Sequence, residues 1–198
     1  MNIFPADPTL GDHVQLDSPR VINPPKTLKT ERLRLRKAKI SDAEAIFRQY
    51  AQDPEVTRYV SWRAHKDLDE TREYMRMCQL AWDVGKAFHW VIERNEEKEV
   101  IGMMIARVVG EKWELGYVLA RRYWGRGYMT EAIKALVAWA LKQKGIYRIW
   151  AVCDVENLAS ARVMEKVGMQ KEGTLRRWSV HPNLSPEPRD SYCYAIVK

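Results

Sequence analysis

The sequence predicts an α/β domain of the α+β kind, in which helices pack on one mixed, largely antiparallel β-sheet. Two observations carry this prediction. Three strand-like segments in the middle of the chain are separated only by short turns, and short turns join antiparallel neighbours. A strand, an amphipathic helix and another strand follow, which is the order of a parallel crossover. We therefore expect an antiparallel first part with a parallel pair after it.

Length and composition indicate one globular domain with a substantial core. The chain has 198 residues, of which 46% are hydrophobic and 30% charged. These values exclude a disordered chain, a collagen and a small disulfide-stapled scaffold. Lys and Arg number 33 against 26 for Asp and Glu, which gives a net charge of +7. A basic balance fits nucleic acid, an anionic membrane or a phosphate-bearing cofactor, and does not choose among them.

The distribution of proline divides the chain. Five of the nine prolines precede residue 26, so residues 1–28 are interpreted as an N-terminal arm or tail and residues 29–198 as the domain. The three cysteines lie far apart and form no CxxC pair, which argues against a disulfide framework or a metal site. The N-terminus has no signal-peptide pattern, and every apolar run is too short to cross a membrane. These features predict a cytoplasmic protein with no membrane partner.

The first half of the domain shows one strand and two helix starts. Leu33 and Leu35 alternate with charged residues, which predicts a strand. Capping-box spacings at Ser41–Glu44 and Asp67–Glu70 predict the starts of two helices, and Gly85 suits the end of the second.

Strand patterns, helical periodicity and glycine stops give the remaining elements. Meander strands are predicted at Phe88–Glu93, Val100–Val109 and Trp113–Ala120. The clearest helix has one apolar face from Ile133 to Leu141 and ends at Gly145. The last predicted elements are a strand at Ile146–Cys153, a helix at Asn157–Val167 and a strand at Ser191–Val197.

A loop with two glycines precedes the clearest helix. It reads Arg122-Tyr123-Trp124-Gly125-Arg126-Gly127. Glycines allow close approach of the backbone, and the N–H groups of a helix N-terminus bind anions, so the loop is a candidate phosphate cradle. It has neither the Gly-Lys-Ser/Thr of a Walker A loop nor the spacing of the dinucleotide fingerprint. By itself it also fits an ordinary helix start with solvated arginines.

The order of these segments resembles a known family. The stretches ELGYVLARRYWGRGYMTEA and NLASARVMEKVGMQKEG are similar to the GCN5-related N-acetyltransferase (GNAT) superfamily, and most of all to its ribosomal-protein (RimJ/RimL-type) branch. The resemblance covers about residues 28–197. It implies a sheet of about seven strands with about four helices, in which strands 113–119 and 147–153 splay apart and admit acetyl-CoA.

The resemblance also implies which residues hold acetyl-CoA. Its pantetheine arm would pair with the backbone of the splayed strand and with the amide of Asn157, and backbone amides of the glycine loop would hold its pyrophosphate. The implied cofactor-binding residues are Tyr117, Val118, Leu119, Arg122, Gly125, Arg126, Gly127, Tyr128, Met129, Thr130 and Asn157. No metal is implied.

Two residues are implied in catalysis. Glu114 matches a strand carboxylate that deprotonates the amine in related enzymes, often through water, and a backbone N–H such as that of Val118 would stabilise the oxyanion. Ser160 matches the serine of the ribosomal-protein branch and could protonate the leaving thiolate, whereas Met164 stands where many members carry a tyrosine. A surface glutamate and a helix-start serine bonded to backbone are the alternatives.

The expected function is transfer of an acetyl group from acetyl-CoA to a primary amine, with the α-amine of a ribosomal or other protein N-terminus as acceptor. The alternatives are a small amine or antibiotic as acceptor, and an acyl-CoA-binding module without turnover. Direct nucleic-acid binding is not expected, because no nucleic-acid-binding motif is present. A homodimer is compatible with the sequence. His89 and His181 are isolated and are interpreted as structural or surface residues.

Overall fold

One mixed sheet organises the chain in the computed structural model, which describes residues 22–198. The strand order is β1-β2-β3-β4-β5-β6-β8-β7. The strands are β1 (Thr27–Lys29), β2 (Leu33–Lys37), β3 (Ala87–Arg94), β4 (Val100–Val109), β5 (Lys112–Leu119), β6 (Arg148–Asp154), β7 (Gln170–Val180) and β8 (Pro188–Val197). Positions 1–21, and with them most of the predicted N-terminal arm, lie outside the described residues.

Three longer helices and two short ones accompany the sheet. The helices are α1 (Ala43–Ile46), α2 (Pro54–Thr57), α3 (Leu68–Asp83), α4 (Tyr128–Ala140) and α5 (Leu158–Val167). A 3-10 turn at Ile40–Asp42 and a π-helical segment at Phe47–Ala51 flank α1, and a second 3-10 turn at Arg121–Tyr123 precedes the glycine loop. The mixed α/β architecture agrees with the predicted fold class.

The sheet has the predicted combination of antiparallel and parallel pairs. Strands β1 to β5 pair antiparallel in chain order, and α4 then crosses to β6, which lies parallel to β5. The parallel pair has only three rungs, from Lys112–Arg148 to Glu114–Trp150. Beyond Glu114 the two strands separate, whereas β6 stays paired with β8 up to Asp154. The expected splay between these two strands is therefore present.

The sheet has eight strands rather than about seven. Strand β1 pairs with β2 and spans the predicted boundary at residue 28, so the end of the predicted arm belongs to the sheet. The indole N–H of Trp90 also donates to the carbonyl of Pro25 at 2.9 Å. Strand β7 lacks a clear apolar alternation because most of its side chains are exposed, and for this reason its sequence did not predict it.

The predicted capping box at Ser41 and Glu44 is wrong. The helical segment begins earlier, and the carboxylate of Asp42 accepts from the backbone N–H of Lys39 at 2.8 Å. The same carboxylate binds the guanidinium of Arg36, a partner that local spacing does not show. The start of α3 is as predicted, because Asp67 accepts from the N–H of Glu70 at 2.9 Å.

The core contains an unusual number of large rings. Neighbouring ring centroids from α3 through the sheet to α4 lie 5.0 to 6.3 Å apart, in Trp82, Phe88, Trp90, Trp113 and Trp139. Four of the eight tryptophans thus contribute to packing between the sheet and its helices. Within residues 22–198, no helix combines the length and apolar composition needed to cross a bilayer.

Candidate functional site

The start of α4 presents unpaired backbone N–H groups. Gly125 and Gly127 have φ values of +72° and +77°, which side chains rarely adopt. A β-carbon on Gly125 would meet nothing within 4 Å, and one on Gly127 only the guanidinium of Arg32 at 3.6 Å. In the described part of the chain, no hydrogen bond uses the N–H groups of Tyr128, Met129 or Thr130. The loop therefore offers an open, anion-favouring surface.

A cluster of charged side chains braces this loop from the first hairpin. Arg32 donates to the carbonyl of Arg126 at 3.0 Å and to the carboxylate of Glu131 at 2.7 Å. The hydroxyl of Thr30 donates to the same carboxylate at 2.6 Å. Partial burial alone would raise the pKa of Glu131, but the hydrogen bonds from Thr30 and Arg32 lower it overall. The brace fixes the first turn of α4 against β1 and β2.

A cavity of about 550 Å³ opens beside the loop. It lies between the end of β5, the start of α4 and the start of α5. Of the residues implied to hold acetyl-CoA, those that line it are Tyr117, Val118, Leu119, Gly125, Gly127, Tyr128, Met129, Thr130 and Asn157. The structure thus brings together residues that the sequence spreads over three elements. We call this space the cofactor cavity.

The two arginines predicted in the cofactor set do not line this cavity. Arg122 pairs with the carboxylate of Glu99 and lies over the ring of Tyr123. The side chain of Arg126 is exposed, and its guanidinium lies 6.0 Å from the centre of the Tyr123 ring. Their roles toward the pyrophosphate remain predictions. Trp124 has a clearer place, since its indole N–H donates to the carbonyl of Leu119 at 2.7 Å and ties the loop to β5.

Strand register determines which backbone groups of β5 face the splay. The N–H of Ala120 donates to Ile101 of β4 at 2.8 Å. Because residues of an antiparallel strand alternate in direction, Val118 also directs its N–H to β4. Tyr117 and Leu119 therefore direct theirs into the gap. The expectation that Val118 supplies the oxyanion N–H is corrected on this ground, and the candidates become its two neighbours.

Ser160 forms a hydrogen-bonded group at the start of α5. Its hydroxyl lies 2.7 Å from the hydroxyl of Tyr117. Asn157 caps α5, because its amide oxygen accepts from the N–H of Ser160 at 3.2 Å. The cap uses the oxygen only and leaves the amide NH₂ to donate elsewhere. Burial raises the pKa of Tyr117 well above its ordinary value, although the bond to Ser160 offsets part of this, so the phenol stays neutral.

A second cavity of about 610 Å³ lies on the other side of this group. Glu114 lines it, at the last parallel rung of the splay, with its side chain 24% exposed and 3.6 Å from the guanidinium of Arg107. Aromatic residues supply much of the wall, namely Tyr59, Trp62, Tyr74 and Trp178. We call this space the acceptor cavity.

The two cavities meet at the splay. Both are lined by Tyr59, Tyr117, Val118, Asn157 and Ser160. A molecule in each cavity would thus come together beside the hydroxyl of Ser160. Burial raises the pKa of the neighbouring Cys153 to about 11, so this thiol is neutral near pH 7.

The aromatic wall and the Arg32–Glu131 brace were not found from the sequence. Glu131 stands in the quoted motif, but its partner lies 99 residues away, and a single sequence has no signal for such a pair. In residues 22–198, no group of three or more His, Cys, Asp or Glu is arranged to hold a metal ion.

Comparison with known proteins places the chain among acetyltransferases. The model of the acetyltransferase (GNAT) domain matches residues 32–170. The uncharacterized N-acetyltransferase YoaA of Bacillus subtilis is 33% identical over 174 residues, which are 86% of this chain and 96% of that protein. The ribosomal protein uS5-alanine N-acetyltransferase of Escherichia coli is 28% identical over 161 residues, 76% of this chain and 82% of that protein. A solved acetyltransferase of the GNAT family from Bacillus anthracis superposes with a TM-score of 0.75 at 32% identity, covering 86% of this chain and 98% of that one.

Proposed function

Because the chain belongs to the GNAT acetyltransferase family and is an acetyl-CoA-dependent N-acetyltransferase, we propose that its acceptor is the N-terminal α-amine of a protein or peptide. The observation that carries the proposal is the acceptor cavity, which meets the cofactor cavity at Tyr117 and Ser160. The Escherichia coli relative supports the same class, since its name gives an alanine of ribosomal protein uS5 as its target.

The charges of the acceptor cavity favour a single amine over a polyamine. Its two carboxylates already have cationic neighbours: Glu114 lies beside Arg107, and Asp154 binds Arg189 at 2.6 Å. No lining carboxylate in the described part of the chain is left for a second ammonium group. The aromatic wall suits an uncharged side chain next to the reacting amine. An α-amine also loses its proton more readily than lysine, with ordinary pKa values of about 7.7–8.0 against about 10.4.

The α4 loop and the start of α5 hold acetyl-CoA in this proposal. The N–H groups of Tyr128, Met129 and Thr130 receive the pyrophosphate, where the helix dipole favours negative charge. The amide of Asn157 and the gap-facing backbone of β5 bind the pantetheine arm. The thioester then lies at the junction of the two cavities, beside Ser160.

Residues of β5 and α5 perform the proton transfers. Glu114 accepts a proton from the acceptor amine through water. The water is needed because a strand rises about 3.3 Å per residue, which places position 114 about 10 Å before Tyr117 along β5. A gap-facing N–H of β5 stabilises the oxyanion. Ser160 protonates the departing sulfur, and Tyr117, as its hydrogen-bond partner, can replace the proton.

The test is a screen of acceptors by release of CoA thiol. Peptides beginning with Ala, Ser and Met are compared with the same peptides blocked at the N-terminus, with a polyamine and with an aminoglycoside. Turnover of the open peptides alone supports the proposal. Turnover of small amines alone contradicts the acceptor class. Binding of acetyl-CoA without turnover of any amine would instead favour a binding module.

The buried, unpaired state of Cys78, Cys153 and Cys193 supports a reducing, cytoplasmic location, which we also propose.

A further inference from the structure

His181 is a buried histidine in the wall of the acceptor cavity. The residue directly follows β7, and only 6% of it is exposed. In the described part of the chain, neither ring nitrogen has a hydrogen-bond partner. A buried polar group without a partner costs free energy, so an unpaired imidazole in a cavity indicates a place for a polar ligand.

Asp154 holds a negative charge next to this imidazole. The carboxylate lies 3.7 Å from Nε2 of His181. It also accepts from Arg189 at 2.6 Å and from the N–H of Glu156 at 2.9 Å. Burial alone would raise the pKa of Asp154, but the bonds from Arg189 and Glu156 lower it overall, so the carboxylate is ionised. A fixed negative charge at this distance stabilises a positive charge that the imidazole gains when it accepts a proton.

The position of Asp154 along the sheet places His181 near the reacting groups. Glu114 and Trp150 form the last parallel rung. Three residues further on each strand are Tyr117 and Cys153, and Asp154 is the next residue of β6. Through its contact with Asp154, His181 therefore lies about as far along the splay as Tyr117, whereas Glu114 lies where the splay begins.

The other buried histidine of the cavity has the opposite surroundings. His89 also lines the acceptor cavity and its Nδ1 has no hydrogen-bond partner in the described residues. Burial and the positive charge of Arg107 lower its pKa to about 4. Its imidazole therefore does not keep a proton near neutral pH, and its structural role stays a prediction.

We propose that His181, beside the carboxylate of Asp154, is a further catalytic residue that binds the acceptor amine and takes its proton. The proposal rests on the acetyltransferase function and extends it on the acceptor side. The bound ammonium gives one proton to His181, and the freed electron pair of nitrogen forms the bond to the acetyl carbon. The carbon–sulfur bond breaks with its electron pair on sulfur. The nitrogen gives its second proton to Glu114 through water, and Ser160 protonates the sulfur. The protons on His181 and Glu114 later return to solvent, and one proton from solvent restores Ser160 through Tyr117.

Charged groups on two neighbouring strands surround His181. The carboxylate of Asp154 on β6 faces the imidazole, and the guanidinium of Arg189 on β8 neutralises part of its negative charge. The carboxylate of Glu156 lies 3.0 Å from the same guanidinium. The ring of Tyr59 approaches the imidazole edge-on, with the two ring centroids 6.4 Å apart.

The experiment compares His181→Ala with His89→Ala in the full chain. The acceptor is whichever primary amine the native protein acetylates, so failure of peptides would contradict the acceptor class and leave this test intact. For His181→Ala we expect kcat to fall by ~10²-fold or more, with acetyl-CoA affinity within about twofold of native by calorimetry. Added imidazole should raise the rate of His181→Ala at least about tenfold and should leave the rate of His89→Ala unchanged.

Two results would overturn the proposal. One is a loss of less than about threefold in His181→Ala. The other is a larger loss that imidazole does not restore, because this would show a role in packing. Thermal unfolding with and without acetyl-CoA monitors folding, and His181→Gln serves if the alanine variant unfolds. That variant should lose kcat to a similar extent, with acetyl-CoA affinity near the native value, and a loss of less than about threefold contradicts the proposal.

Discussion

At the scale of single residues, Ser160 is where the two cavities and the hydrogen bonds of Tyr117 and Asn157 meet. We predict that Ser160→Ala lowers kcat by ~10²–10⁴-fold, since it removes the proton donor. Acetyl-CoA affinity should change little, because the capping oxygen and free NH₂ of Asn157 remain. Steady-state kinetics and calorimetry check both values. A loss of kcat below about threefold would transfer the acid role to Tyr117 or to water.

Glu114 tests the other proton transfer. In Glu114→Gln we expect the rising limb of the pH–rate profile to flatten or to move to higher pH, because the acceptor amine loses one of its two proton acceptors. Binding of acetyl-CoA should stay at the native value. Glu111→Gln, at an exposed position in the preceding turn, is the control and should leave the profile unchanged. An unaltered profile in Glu114→Gln would remove this carboxylate from the mechanism.

Asn157 shows how far a sequence motif reaches. Its place before α5 follows from the motif, and the structure adds that its oxygen caps the helix. We predict that Asn157→Ala raises the KM for acetyl-CoA, since a pantetheine polar group loses a partner worth about 1–3 kcal/mol. Loss of the cap also lowers the free energy of unfolding, by about 1 kcal/mol. Asn157→Asp separates binding from capping, because aspartate keeps the capping oxygen and lacks the NH₂. If this variant binds acetyl-CoA as tightly as the native protein, the amide contributes only to the helix.

At the scale of elements, the start of α4 carries the cofactor assignment. We predict that Gly127→Val weakens acetyl-CoA binding far more than it lowers stability, because the side chain enters the space left open beside the helix N-terminus. Valine is strained at positive φ at any site, by about 1–2 kcal/mol. Gly85→Val is therefore the matched control, with φ +70° and nothing within 4 Å. Equal acetyl-CoA affinity in folded Gly127→Val and Gly85→Val would contradict the cradle.

The brace between the first hairpin and α4 gives a pH-dependent stability. The folded pKa of Glu131 is lowered, so its stabilisation is present above the unfolded value of about 4.3 and is lost as pH falls through the folded pKa. In Glu131→Gln we expect a loss of about 1 kcal/mol near pH 7, kept small by the partial exposure of Arg32. Urea unfolding across pH measures it. A stability difference from native that persists at strongly acidic pH would contradict this account.

Elements were predicted well where one face is apolar and poorly elsewhere. The periodicity from Ile133 to Leu141 and the buried strands β3 to β5 have clear patterns. Strand β7 is mostly exposed, so its pairing with β8 depends on backbone bonds that leave no pattern of side chains. The start of α1 was wrong because Asp42 takes its partners from Arg36 and Lys39 rather than from the local spacing.

At the scale of the whole molecule, the sheet itself makes the site. Pairing of β5 with β6 ends at Glu114, and pairing of β6 with β8 continues to Asp154. The resemblance predicted this gap, and nine of the residues that it implied line the cavity beside it. Their binding of acetyl-CoA stays a prediction. It did not predict the acceptor wall, where His181 and Trp178 come from the far end of the sheet. Residues of β5 and β7 line one cavity only in the folded sheet, and the sequence alone has no signal for this.

Location of the transferred acetyl group tests the central claim most directly. The protein is incubated with acetyl-CoA and a peptide that begins with Ala and contains one internal Lys, and fragmentation mass spectrometry finds the modified nitrogen. The same peptide with a blocked N-terminus is the control. The account predicts acetylation of the α-amine in the open peptide and no acetylation of the blocked one. Acetyl groups on lysine alone, or on the blocked peptide as fast as on the open one, would contradict it.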